Sequence, residues 1–325
     1  MNIRKAVITA AGRGVRLYPA SDTVQKGMLP FIDRDGLNKP LIQIIAEEAL
    51  DSGIEEICVV CAPGDEKRYM ERFEALRKNL LAAYRDVDWA RQQEERLKNL
   101  LRRLHFAPQE EPLGYGHSVY CAKDFAGGEP FLLLLGDHLY ISHIRKKRCA
   151  QQLIELASKE DCSVAAVQST PEHLVGRYGT LSGKRIANMT GVYQIEKILE
   201  KPSLSRAELE VHMPGLRVGH YLCLFGMHVL SPAVFEILEE EINSCAKDRG
   251  EYQLTPALEE LALNEKYLAL EVKGSRYDIG SEFGLMKAQM ALSLAGSDRD
   301  KVMTSIIEIL AESNRRQIIE SEEEK

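Results

Sequence analysis

The chain has 325 residues, of which 45% are hydrophobic and 28% charged, and 42 Lys and Arg against 49 Asp and Glu give a formal net charge of −7. This composition is typical of a soluble globular protein with a sizeable core, built as one large α/β domain or as two domains. The acidic balance argues against nucleic-acid binding, and no apolar run reaches the roughly 18 residues of a membrane span.

The first part of the chain alternates predicted strands with predicted helices. The segments in order are a strand (KAVITA), an amphipathic helix between Pro40 and Gly53, a strand (EEICVVCA), charged helices over 70–104 with a break near YRDVDW, a short helix (HSVYCAKDF), a strand (PFLLLLGD), a helix (CAQQLIELASKE) and a strand (CSVAAVQ). Such alternation predicts a mostly parallel sheet with helices on both faces.

The pattern changes after Thr170, where three strand-like segments follow one another: YGTLSG, GVYQIEKILEKP and HYLCLFGMHVL. We interpret them as an antiparallel extension of the sheet. Helices return at SPAVFEILEEEINS and LTPALEELALN, followed by a strand (YLALEVK) and further helices. We therefore expect one α/β domain over residues 1–295, with a helical insertion at about 66–104, and a C-terminal helix with a charged tail over 296–325.

The seven cysteines are scattered through predicted strands and helices. The closest pair, Cys58 and Cys61, lies in an apolar strand, where residues three apart point to opposite faces. Buried, reduced thiols are therefore favoured over a redox motif. The N-terminal apolar run is too short for a signal peptide. We expect a cytoplasmic protein with no membrane or nucleic-acid partner.

Candidate functional residues fall where predicted strands end, and ligands of open parallel sheets bind at that edge. The first strand runs into Gly12 and Gly14, which allow positive φ and let backbone N–H groups approach a phosphate. Residues 1–26 carry five basic side chains and one acid, which indicates a site for an anion. Asp137 follows the FLLLL strand and Asp278 follows the strand before GSRYDIG, so we expect one edge to hold both carboxylates.

Two common phosphate-binding motifs do not match this glycine turn. A dinucleotide fingerprint needs glycine at position 17, where the chain has Leu17. A Walker A loop needs a terminal G-K-[ST], which the turn lacks. On these residues alone, a structural turn with stray basic side chains stays open as an alternative.

The run AAGRGVRLYPASDTVQKGMLP (10–30) resembles the signature of sugar-1-phosphate nucleotidylyltransferases, roughly G-x-G-T-R-L-x-P-x-T-x-x-x-P-K. Within them, the chain is most similar to the bacterial UTP–glucose-1-phosphate uridylyltransferase family. Seven further stretches support this resemblance, in the same order along the chain: KPLIQ, PLGYGHSV, LLGD, RYGT, LEKP, GEYQLTPAL and YDIGSEFGLMKA. The resemblance extends over nearly the whole chain, from Lys5 to about Leu292.

The resemblance implies a fold and a reaction. The fold is a Rossmann-like, open, mostly parallel α/β sheet with helices on both faces and an antiparallel extension. In the reaction, the phosphate of glucose 1-phosphate attacks the α-phosphorus of UTP, giving UDP-glucose and pyrophosphate without a covalent enzyme intermediate. The task of such a protein is to align two polyanions and neutralise the charge between them. A homo-oligomer, dimer or tetramer, is also implied.

The resemblance further implies residue roles on the nucleotide side of a site. The backbone of Ala11 and Gly12 approaches the base and phosphates, beside Gly14. Gln109 hydrogen-bonds the uracil edge, and Gly114 closes over the ring. We interpret the nearby His117 as structural, since attack by a phosphate needs no added base.

Catalytic, metal and sugar roles follow in the same way. Arg16 matches the arginine that suits the β- and γ-phosphates, and Lys26 matches the lysine at the phosphate that changes bonding. Lys201 meets the sugar phosphate, Glu200 accepts hydrogen bonds from glucose, and Gly179 contacts the sugar through its backbone. Asp137 and Asp278 match the carboxylates that hold Mg²⁺, a cation that prefers oxygen ligands.

Departures from the family pattern leave the substrate open. Val15 replaces a threonine, Gln25 a proline and Leu113 a lysine, and Arg34–Asn38 form an extra loop. An enzyme for another nucleotide, such as dTTP, or another sugar phosphate therefore stays an alternative. A paralogue that binds ligand or regulates a partner without turnover is another.

Overall fold

The computed structural model describes residues 1–12, 14, 17–19, 23–245 and 250–323. The strands, in chain order, are β1 (Lys5–Thr9), β2 (Pro30–Ile32), β3 (Asn38–Pro40), β4 (Glu56–Cys61), β5 (Leu104–Pro108), β6 (Phe131–Leu135), β7 (His138–Ser142), β8 (Ser163–Pro171), β9 (Thr180–Arg185), β10 (Val192–Leu199), β11 (His220–Leu230), β12 (Tyr267–Glu271) and β13 (Gly274–Asp278). The helices are α1 (Leu41–Leu50), α2 (Asp65–Ala83), α3 (Asp88–Arg103), α4 (Tyr115–Tyr120), α5 (Lys123–Ala126), α6 (Cys149–Glu160), α7 (Leu204–Glu210), α8 (Ala233–Asn243), α9 (Leu254–Asn264), α10 (Gly284–Leu294) and α11 (Arg299–Glu323).

A nine-stranded sheet, in the order β5-β4-β1-β6-β11-β8-β12-β10-β9, forms the centre of the described fold. Its strands all run in one direction except β10 and β11, which are antiparallel to their neighbours. Two smaller sheets pair β2 with β3 and β7 with β13. The expected α/β class is confirmed: an open, mostly parallel sheet that ends in an antiparallel part.

The position of β11 differs from the sequence interpretation. This strand lies between β6 and β8 in the middle of the sheet, is antiparallel to both, and also pairs antiparallel with β9. The three segments after Thr170 thus form the expected antiparallel part, but β11 lies in the centre of the sheet and not at its edge. Its burial explains the placement, because almost all of its residues are inaccessible to solvent, as expected of a strand with neighbours on both sides.

The core lies on both faces of the sheet. Successive residues of β1 alternate between two hydrophobic clusters, with Ala6 and Ile8 in one and Val7 in the other. The first cluster is covered by α1 and α6, and the second by α8 and α9. Cys58 and Cys61 are buried free thiols, as predicted, and burial raises the pKa of each to about 12.

The helical elements also follow the sequence reading in outline. α2 and α3 are separated at 84–87, where a break was expected, and α11 follows α10 near the C-terminus. The division into a domain over 1–295, an insertion and a C-terminal tail stays a prediction. No helix of the described residues is both long and apolar enough to cross a membrane.

The extra loop between β2 and β3 is organised around one buried lysine. Lys39 is only 3% exposed, and its Nζ lies 2.7 Å from Asp33 Oδ2, 2.7 Å from Asp35 Oδ2 and 3.0 Å from Glu47 Oε2. Burial opposes the charge of Lys39, but Glu47 and Asp33 outweigh it and raise the pKa of the ammonium group. The loop is therefore tied to α1 by ionic contacts.

Replacing Lys39 by Met should destabilise the protein strongly, because it leaves buried carboxylates without their cation. Loss of one partner of a buried ion pair costs about 3–5 kcal/mol, so urea denaturation should show a free energy of unfolding lower by at least about 3 kcal/mol. Lys98→Met is the matched control, since Lys98 is only partly buried, its partner Glu95 is exposed, and ion pairs near the surface contribute about 1 kcal/mol or less. Equal midpoints for the two variants would contradict this account.

Candidate active site

A cavity of about 800 Å³ opens at the carboxyl ends of β1 and β6. Its lining contains all the site residues proposed from the sequence that the structure describes: Ala11, Gly12, Gly14, Lys26, Gln109, Gly114, Asp137, Gly179, Glu200, Lys201 and Asp278. Arg16 and the nearby departure Val15 lie outside the described residues. Residues from segments far apart in the sequence thus face one space.

A close backbone approach brings the glycine turn next to Asp137. β1 and β6 are parallel, with Thr9 opposite Leu135, and the Gly136 N–H donates to the Thr9 carbonyl at 2.9 Å. A Cβ on Gly136 would lie 2.5 Å from that carbonyl oxygen, so only glycine fits there without a shift. The chain can therefore leave both strands at one level, with Asp137 beside the turn.

The two glycines of the turn differ in what they need. Gly14 has φ +65°, in the left-handed region that favours glycine. Gly12 does not have a positive φ, and a Cβ there would meet no described atom within 4 Å. Because glycine has no side chain, the space beside the backbone at position 12 stays open, and a ligand can approach that backbone closely.

The acidic pair meets through the β7–β13 sheet. His138, the first residue of β7, stands opposite Asp278, the last residue of β13. Possible ligand atoms of Asp137, His138 and Asp278 all lie within 4.8 Å of one another. The two carboxylates do converge as expected, but Asp278 arrives on a separate two-stranded sheet and not at the edge of the parallel one.

Asp137 is held as a carboxylate. Its Oδ2 lies 2.7 Å from Lys26 Nζ, and His138 Nδ1 lies 2.8 Å from its Oδ1. Burial alone would raise the pKa of Asp137, but the hydrogen bond and charge of His138, followed by those of Lys26, hold it well below its usual range. Since the carboxylate accepts only, both neighbours donate to it.

This donor set fits a divalent cation. Two carboxylates offer the oxygen atoms that hard cations prefer, and Asp278 Oδ1 is oriented by the Gly280 N–H at 2.8 Å. His138 orients Asp137 in the same way, a role common around metal-binding carboxylates. Sequence reasoning did not select His138, although its place directly after Asp137 was the available signal.

A second part of the cavity lining contains Gln109. Its Nε2 donates to the Gly114 carbonyl at 3.1 Å and lies 3.0 Å from His117 Nδ1. Burial lowers the pKa of His117, which favours the neutral ring that can accept this bond. His117 is not one of the described residues that line the cavity. Gly114 has φ +116°, and a Cβ on it would lie 2.6 Å from the Tyr252 carbonyl oxygen.

Glu200 and Lys201 form a third part of the lining. Thr255 Oγ1 donates to Glu200 Oε2 at 2.5 Å, and Lys201 Nζ lies 3.1 Å from Glu200 Oε1. The backbone of Lys201 is in the left-handed region, with φ +42°, a strain that proteins tend to retain at functional sites. A Cβ on Gly179 would lie 2.7 Å from Leu224 Cδ1 and 3.5 Å from Glu200 Oε2. A larger residue here would therefore clash with Leu224 and crowd the carboxylate of Glu200.

Further lining residues were not selected from the sequence, among them Tyr178, Thr255 and Arg276. Tyr178 lies inside RYGT and Thr255 inside GEYQLTPAL, two stretches that carried the family resemblance, and Arg276 directly precedes a third, YDIGSEFGLMKA. A motif alone could not separate them from their neighbours, because their orientation depends on contacts with other segments.

The fold and the cavity define an α/β protein suited to phosphorylated ligands and a divalent cation at the edge of its sheet. A family model described as "Nucleotidyl transferase" matches residues 5–294. The chain therefore belongs to the nucleotidyl transferase family, which confirms the resemblance seen in the sequence and identifies it as a nucleotidyltransferase enzyme.

Named relatives and solved structures agree with this family. The chain is 37% identical over 298 residues to UTP–glucose-1-phosphate uridylyltransferase 1 of Streptococcus pyogenes serotype M3, covering 90% of this chain and 89% of the relative. It is similar in structure to a UDP-glucose pyrophosphorylase complexed with UDP-glucose, with a TM-score of 0.70, 30% identity and coverage of 89% and 98% of the two chains. For a UTP-bound UGPase from Acinetobacter baumannii, the TM-score is 0.71 at 25% identity, with 94% and 99% covered.

Replacing Asp137 by Asn should weaken binding of a divalent cation by about tenfold or more, because the variant loses one of the two charged oxygen ligands. Titration with Mn²⁺, followed by its paramagnetic resonance signal, measures this affinity. Asp124→Asn, at an exposed position of α5, should bind as the parent does. Unchanged affinity in the Asp137 variant would place the cation elsewhere.

Proposed function

We propose that this nucleotidyltransferase transfers the uridylyl group of UTP to glucose 1-phosphate, giving UDP-glucose and pyrophosphate. The observation that carries this proposal is the match over 90% of the chain to relatives named UTP–glucose-1-phosphate uridylyltransferase. The cavity supports it, because acids for a cation and lysines for phosphates face the same space.

Asp137 and Asp278 would hold Mg²⁺, which when bound supplies positive charge against the phosphate oxygens. Lys26 is placed to exchange partners in this proposal, since its Nζ can leave Asp137 for a phosphate oxygen of UTP. The N–H groups of the glycine turn at Gly12 and Gly14 would contact the phosphates. Arg16 would contribute a guanidinium for the β- and γ-phosphates.

On the nucleotide side, Gln109 would read the uracil edge, with Ala11 and Gly114 packed against the ring. The hydrogen bonds of Gln109 to Gly114 and His117 fix its amide group in advance, so little side-chain entropy is lost when the base binds. His117 acts here through Gln109 as a positioning residue.

On the sugar side, Lys201 would bind the phosphate of glucose 1-phosphate and Glu200 would accept from its hydroxyl groups, with Gly179 packed against the sugar. The attacking group is a phosphate that is mostly ionised at neutral pH, because its second pKa is about 6. No general base is therefore assigned. The protein contributes alignment and charge neutralisation.

Cellular context extends the proposal further. We place the enzyme in the cytoplasm, which accords with its buried free thiols, and propose that it works as a homo-oligomer, a dimer or tetramer. Its expected partners are UTP and glucose 1-phosphate, with neither nucleic acid nor membrane.

The proposed substrates are tested by the products formed from a panel of nucleotides and sugar phosphates with Mg²⁺. UTP with glucose 1-phosphate should give UDP-glucose and pyrophosphate with the highest kcat/KM, quantified by chromatography of the nucleotide sugar. A higher kcat/KM with dTTP or another sugar phosphate would reassign the substrate. Turnover with none of the pairs would indicate a binding protein.

Lys201→Ala should raise KM for glucose 1-phosphate about tenfold or more, since a hydrogen bond to a charged group is worth about 1.5–3 kcal/mol, while KM for UTP should change little. Initial rates with each substrate varied in turn measure both constants. Lys184→Ala is the control, because that lysine side chain is 81% exposed. Equal increases in both KM values would contradict the assignment of Lys201 to the sugar phosphate.

A further inference from the structure

Arg276 lies in the middle of β13 and lines the cavity, yet the roles assigned above do not use it. Its guanidinium carbon is 3.6 Å from the centroid of the Tyr178 ring. At that distance the planar guanidinium lies against the ring face, which fixes it more firmly than a flexible arginine on the surface. The arginine is thus held in place before any ligand binds.

The charge of Arg276 has no acidic counterpart in the described part of the protein. No described Asp or Glu forms an ion pair with it, and its side chain is partly buried. Burial lowers the pKa of the guanidinium, but an arginine stays protonated in proteins. A partly buried cation without a carboxylate costs free energy, which an anionic ligand would recover.

The position of Arg276 indicates which anion it meets. It is two residues before Asp278 on β13, so both side chains leave the same face of the strand. Its ring partner Tyr178 directly precedes Gly179, and both line the cavity with Lys201. Gln109 and Gly114, by contrast, bond to one another. Arg276 therefore belongs with the Lys201 part of the lining.

We propose that Arg276 is a phosphate-binding residue for the sugar phosphate, with its guanidinium held flat on Tyr178 and its N–H groups donating to the phosphate that Lys201 also meets. This inference rests on the proposed function, because it assumes that a sugar phosphate occupies that side of the cavity. An arginine fork suits a phosphate, since it can donate two parallel hydrogen bonds.

Binding measurements on Arg276→Ala test this role without turnover. Calorimetric titration should show affinity for UDP-glucose weakened about tenfold or more, because the variant loses charge-assisted hydrogen bonds to that phosphate, while affinity for UTP stays within about twofold. The matched control is Arg185→Ala. The guanidinium carbon of Arg185 lies 6.0 Å from the Tyr193 ring centroid, and this arginine does not line the cavity. The control variant should bind both ligands as the parent does.

Kinetics with added guanidinium separate direct binding from a structural role. In Arg276→Ala, KM for glucose 1-phosphate should rise about tenfold or more, and millimolar guanidinium, well below denaturing concentrations, should reverse part of the rise. A stacking role alone would give no such rescue. The proposal is overturned if UDP-glucose binding is unchanged, if UTP and UDP-glucose weaken equally, or if guanidinium has no effect on the raised KM.

The two proposals fail in distinguishable ways. If the parent protein makes no UDP-glucose yet binds it, and Arg276→Ala selectively weakens that binding, the proposed reaction is wrong and the role of Arg276 stands. If the parent makes UDP-glucose and Arg276→Ala behaves as Arg185→Ala does, the reaction stands and the role of Arg276 is wrong. A parent that does not bind UDP-glucose would overturn both.

Discussion

The parallel pairing of β1 with β6 sets the geometry on which the cavity depends. Both strands end at one level, and the contact between the Gly136 N–H and the Thr9 carbonyl holds their ends together. The chain must then turn away from both strands at the same place. One turn supplies backbone N–H groups at Gly12 and Gly14, and the other supplies the carboxylate of Asp137. A side chain at position 136 would force these two segments apart.

A second constraint is the small sheet formed by β7 and β13. It begins directly after Asp137, and its register places Asp278 opposite His138. Because side chains alternate along a strand, Arg276 faces the same way as Asp278. One short strand therefore presents an acidic and a basic side chain on the same face, two residues apart. The opposite charges that the proposed metal and phosphate ligands would need thus follow from the alternation of side chains along this strand.

The sequence predicted the main elements well, because long apolar strands and amphipathic helices carry a local signal. β5, β7 and β13 were not predicted as strands; each is as short as β1 and β6 but lacks the continuous apolar run that made those two recognisable. The central position of β11 depends on pairings with β6 and β8, which local sequence does not specify. The family resemblance named residues of the cavity, whereas Arg276 and His138 required knowledge of what lies across from them.

The ion pair between Lys26 and Asp137 has a consequence for how ligands assist one another. In the proposed site, a polyanion would compete with Asp137 for the ammonium group, and a divalent cation would compete with Lys26 for the carboxylate, so each ligand would remove a competitor of the other. The two binding equilibria would then be linked with positive cooperativity, and thermodynamic reciprocity requires that each raise the affinity for the other by the same factor. The proposed nucleotide and metal ion would therefore bind together more favourably than either alone.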